Sequence, residues 1–130
     1  PLRLIHAIRN PFDNISAISI WQELPLDQSI DFYFDHCRTT SQLEHYCSGE
    51  ELINVYHEDL IRDPKRELLR LCEYLEVLPS GDYIRDATSV VFPSPTYTRR
   101  KLDWKGEQID RVNELKRGIF FLERYTFDDD

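Results

Sequence analysis

Arg9 stands at the carboxyl end of a short apolar run, LRLIHAI, and Asn10-Pro11 follows it at once. A cation delivered to the end of a strand, with a helix starting just after it, suits an anion, because the first backbone N–H groups of a helix lack intrahelical partners. Ser16 and Ser19 lie one turn apart on that helix and add hydroxyl donors. A second cationic cluster comes far downstream, where Arg99, Arg100, Lys101 and Lys105 face only Asp103. Its sign opposes that of the chain, whose formal net charge is −8. Such a local reversal, placed on a loop, points to a bound anion. The competing readings are ion pairs: Arg9 with Asp13, and the basic loop with the acidic remainder.

The elements that must carry these residues follow from pattern. LRLIHAI suits a parallel strand covered on both faces. Asn10 is a good N-cap, Pro11 a good first helical residue, and Asp13 complements the helix dipole. That helix should stop near Glu23, ahead of Pro25. Residues 26–48 predict a second helix, interrupted at Thr39-Thr40-Ser41 and ended by Gly49. Leu52 to Tyr56 predict a second strand, with a turn through His57-Glu58-Asp59-Leu60. Asp63 and Pro64 open the most regular helix, with Leu68, Leu71, Cys72 and Leu75 on one face and Pro79-Ser80-Gly81 closing it. A short helix over 82–87, an ordered loop over 88–105 and a helix over 107–125 complete the chain, with Asp128-Asp129-Asp130 solvated.

Two strands separated by helices imply a parallel pair. A sheet of only two parallel strands is not self-sufficient, so strands from outside this segment are expected to complete it. With Pro1 in place of an initiator Met, the chain reads as an excerpt of a longer protein.

At 130 residues the chain has the size of one domain, and charged residues at 31% with hydrophobic ones at 41% exclude disordered and fibrous classes. No stretch approaches a membrane span, and the first residues are not a signal peptide. The acidic balance argues against binding a nucleic-acid backbone. Cys37, Cys47 and Cys72 lack the close spacing of a zinc site and read as idle thiols, which favours the cytoplasm over a Golgi lumen.

Three blocks, IRNPFDNIS, VYHEDLIRDPKRELLRLCEYLEV and ATSVVFPSPTYTRRKLDWKGEQIDRV, stand in an order that resembles the C-terminal half of sulfotransferases using 3′-phosphoadenosine 5′-phosphosulfate. The resemblance runs from about Leu2 to Tyr125. It implies a P-loop-like three-layer α/β sandwich, a parallel sheet flanked by helices, of which this chain is the C-terminal, helix-rich part. It also implies that Arg9 and a helix serine grip the nucleotide's 3′-phosphate. The family's serine position holds Ala17, so Ser16 is the nearest candidate. The late basic loop gives Arg99 and Arg100 as further phosphate ligands, with Lys101 beside them. His57 occupies the place of an adenine-contacting tyrosine, and Thr88-Ser89 matches a Thr-Ser pair near the adenine. Trp104 reads as a packing anchor for the basic loop.

The implied reaction moves a sulfuryl group to a hydroxyl or amine acceptor, with no metal. The phosphosulfate loop and the catalytic base are expected upstream, since the four glycines are scattered and form no phosphate-cradling run. His6 lies an odd number of residues before Arg9, on the opposite strand face, and reads as a sheet residue. Two rivals stand beside this reading: a nucleotide kinase-like protein using ATP and magnesium, and a non-catalytic binding domain of the same fold. A Walker lysine upstream would mark the first. The acceptor and the oligomeric state stay open.

Overall fold

A computed structural model describes residues 2–129 as a mixed α/β, helix-rich chain with a small parallel sheet of two strands. Its contacts gather into two compact units, each drawn from two stretches of sequence.

The first unit takes the segment up to Ile8 together with Cys47–Pro95. Here β1 (Leu4–Ile8) pairs in parallel with β2 (Leu52–Tyr56), with Leu4 opposite Leu52 and His6 opposite Asn54. Both strands and their sense agree with the apolar pattern. Ile8 and Val55 are buried, but Ile5 is 49% exposed, so β1 is not covered on both faces by the described residues as expected. His6 Nδ1 meets Asn54 Oδ1 at 2.9 Å, a cross-strand pair that suits a sheet residue.

After β2 the expected turn is a short helix, α3 (His57–Arg62). Asp63 then accepts from the Arg66 N–H and caps α4 (Pro64–Tyr74). Helix α4 ends earlier than the Pro79-Ser80-Gly81 stop, because Glu76 turns left-handed at φ 57° and the Val77 N–H closes back on Cys72 O at 2.9 Å. Tyr74 from α4 hydrogen-bonds the Leu4 backbone, and Arg70 donates to Asn54 O, fastening α4 to both strands. Ser80 caps α5 (Gly81–Ser89), two residues longer than predicted at its C-terminal end.

The second unit takes Arg9–Tyr46 and the segment from Thr96 onward. Asn10 caps α1 (Pro11–Gln22), and Glu23, at φ 53°, stops it where Pro25 required. The next helix, α2 (Leu26–Tyr46), is unbroken. Its predicted interruption is absent because the Thr39 and Thr40 hydroxyls donate to the Asp35 and His36 carbonyls, satisfying themselves inside the helix.

A 3-10 turn over Thr98–Lys101 precedes α6 (Gly106–Leu115). The expected helix over 107–125 is cut short: Gly118 sits at φ 81°, and Phe120–Leu122 form a separate 3-10 turn. Phe12, Ile15, Ile30, Phe34, Val112 and Leu122 form the core of this unit, each at most 1% exposed. Asp129 does not behave as a solvated tail residue, since its carboxylate accepts from the Thr126 N–H and hydroxyl. Asp130 lies outside the described residues.

Candidate functional site

Chain geometry places Arg9 between the end of β1 and the cap of α1, half-buried. Its Nη2 donates to Thr96 O at 2.5 Å and to Thr98 Oγ1 at 2.9 Å. Both bonds leave from one nitrogen. Nη1 and Nε carry no hydrogen bond among the described residues, and no acid there pairs with Arg9. A guanidinium held by one corner, with its remaining N–H edge open, is a pre-oriented receptor for an oxyanion.

The start of α1 is not the source of donors that the sequence predicted. Pro11 has no N–H, the Phe12 N–H is taken by Asn10 Oδ1 at 3.0 Å, and the Asp13 N–H by Asn10 O at 3.1 Å. A good cap satisfies the groups an anion would have used.

Asp13 pairs with Arg99, not Arg9. Asp13 Oδ1 accepts the Arg99 backbone N–H at 2.8 Å and Oδ2 accepts Nη1 at 2.5 Å. Arg99 Nε donates to Phe127 O at 2.6 Å, and Nη2 donates to Asp129 O. With 2% of its surface exposed, the guanidinium donates from each of its three nitrogens inside the unit. Ser16 is likewise enclosed, accepting the Trp104 indole N–H at 3.0 Å. Ser19 donates to Leu24 O at the far end of α1. Trp104 packs edge-on against Phe12 and Phe127, as an anchor of the basic loop should.

No family model, no curated protein and no solved structure matches this chain.

Of the cationic loop, Arg100 is exposed and stacks over Tyr97, 4.3 Å from the ring centroid, and Lys101 is exposed beside it. Lys105 pairs with Asp103. The structure therefore brings Arg9 against the turn that carries Arg99 and Arg100, while turning Arg99 inward. Thr96 and Thr98, which orient Arg9, escaped the sequence reading, although hydroxyl residues flanking an Arg-Arg pair were visible there.

The residues expected near adenine fall in the first unit. His57 is the first residue of α3 and half-buried. Thr88, near the end of α5, lines a cavity of about 420 Å³ with Leu69, Pro79 and Ile84, and its hydroxyl oxygen is buried without a hydrogen-bond partner among the described residues. Among the described residues no group of acidic, His or Cys side chains is placed to hold a metal, and no helix is long and apolar enough to cross a membrane.

Proposed function

We propose that this chain is the C-terminal, nucleotide-gripping part of a sulfotransferase that moves a sulfuryl group from 3′-phosphoadenosine 5′-phosphosulfate to a hydroxyl or amine. Its two strands would belong to a larger P-loop-like three-layer sandwich. The observation that carries this reading is Arg9, a half-buried cation fixed by Thr96 and Thr98, with an unused donor edge and no acid against it among the described residues. A cation so placed, at the carboxyl end of a parallel strand, favours a phosphate-bearing ligand. Arg100 and Lys101 add positive potential on the neighbouring turn. The resemblance in sequence assigns the adenine contacts to His57 and Thr88 and the acceptor chemistry to residues upstream.

Calorimetric titration of adenosine 3′,5′-bisphosphate into the intact protein tests the reading. Arg9→Ala should lose on the order of 1.5–3 kcal/mol of binding, the worth of a hydrogen bond to a charged group. Equal affinity in wild type and variant would sink it. The inward commitment of Ser16 and Arg99 favours one rival, a nucleotide-binding domain of the same fold without transfer activity. Nucleotide binding with no sulfate transfer to a panel of hydroxyl and amine acceptors would support that rival.

A further inference from the structure

Arg99, Asp13 and the last described residues form one network behind the Arg9 site. Arg99 spends its guanidinium on Asp13 and on the carbonyls of Phe127 and Asp129. The segment supplying those carbonyls is itself tied down. Asn10 Nδ2 donates to Thr126 O at 3.0 Å, Lys116 donates to Tyr125 O, and Thr126 donates twice to the Asp129 carboxylate. The Phe127 ring meets Phe12 and Trp104 edge-on, at 5.2 and 5.9 Å between centroids.

We propose that Arg99 is a positioning residue and that residues 125–129 are a clasp whose docking sets the anion affinity of Arg9. The inference rests on reading Arg9 as the phosphate ligand. Thr98, which orients Arg9, is the immediate neighbour of Arg99, and the Arg99 backbone N–H is itself fixed by Asp13. The tail thus holds Arg99, Arg99 holds the 3-10 turn, and the turn aims Arg9. An arginine that bound the nucleotide directly would stand open toward it, whereas Arg99 is 2% exposed and donates from all three guanidinium nitrogens into the unit.

The test uses the intact protein with adenosine 3′,5′-bisphosphate as probe, titrated at several ionic strengths, alongside tryptophan emission. The variants are Arg9→Ala, Arg99→Lys, a truncation after Thr126 and the milder Thr126→Val. Arg99→Lys and the truncation should weaken binding by about tenfold, the scale of one lost charge-assisted contact. The salt dependence of Arg99→Lys should match that of wild type, because the substitution keeps the charge. Arg9→Ala should flatten the salt dependence. Truncation should red-shift emission as buried Trp104 becomes wet, whereas Trp21 is already 86% exposed. Thr126→Val should move affinity and emission in the same directions by less, without loss of helical signal, should the truncated chain fail to fold.

Unchanged emission and affinity in both tail variants would overturn the clasp. A salt dependence flattened as much by Arg99→Lys as by Arg9→Ala would overturn the positioning role, since Lys carries charge but cannot reproduce the buried fork, and only a displaced phosphate contact would register. If Arg9→Ala binds as wild type, the nucleotide reading fails and the affinity claim fails with it, while the emission shift still reports whether the tail is docked.

Discussion

Asp13 holds Arg99 by both carboxylate oxygens across 86 residues of sequence, one on the backbone N–H and one on the guanidinium. Their side chains are 3% and 2% exposed. A buried charge left without its partner is far more costly than the intact pair is stabilising. Asp13→Asn, which keeps the shape and removes the charge, should therefore cost about 3–5 kcal/mol of stability. Urea unfolding would show it as a lowered midpoint at constant slope. A loss under about 1 kcal/mol would match a solvated surface pair and contradict the burial of Asp13 and Arg99.

Ser16 offers a cleaner separation of roles. Its Oγ is the acceptor for the Trp104 indole N–H, and both residues are buried. Ser16→Ala strands that donor and should destabilise the protein by about 1–3 kcal/mol. Nucleotide affinity, measured where the variant is fully folded, should hold. Lost affinity with intact stability would restore Ser16 to the ligand role implied by the sequence resemblance.

What could be read in the sequence was what depends on neighbours in the chain. Both strands, the Asn10-Pro11 and Asp63-Pro64 helix starts and the Glu23 stop are local signals, and the structure carries them. The unbroken α2 was missed because the Thr39 and Thr40 hydroxyls can bond outward to turn or backward into the helix, and composition does not choose. The end of α6 was missed because Ile119 to Leu122 continue an apolar stripe past Gly118, whose φ of 81° breaks the helix. At the site, Arg9 was visible from its place after β1. Which arginine takes Asp13 was not, since the choice is made by packing between remote segments. The acidic end misled for the same reason: the backbone carbonyl of Asp129, invisible in a charge pattern, is what Arg99 uses.

Glu23 gives a prediction about the scaffold alone. It ends α1 in the left-handed region at φ 53°, where a side chain crowds the backbone and glycine does not. Glu23 is exposed. Glu23→Gly should raise stability by about 0.5–1 kcal/mol, relief of strain exceeding the added freedom of the unfolded chain. Thermal unfolding would register a higher midpoint, and a lower one would show that the turn carries no such strain.

Cys37 connects burial to a pH-dependent observable. Burial among the side chains of α2 and its neighbours pushes the thiol from 9.0 up to about 11, although a hydrogen bond with Tyr33 and the charge of Arg38 pull the other way. Only the thiolate attacks alkylating reagents, so native Cys37 should stay unmodified by iodoacetamide at neutral to mildly basic pH and react once urea exposes it. The same shift acts on stability. Between about pH 9 and 11 the unfolded chain has released this proton and the folded chain still holds it, so each step up in pH favours unfolding. The contribution is complete below pH 9 and disappears as pH climbs through the folded value, amounting to about 3 kcal/mol for a change of this size. Cys37→Ala should flatten that part of the stability curve while lowering the plateau by the cost of the lost sulfur packing. Rapid native alkylation at Cys37, located by peptide mass, would place the thiol in contact with solvent and remove the basis for both effects.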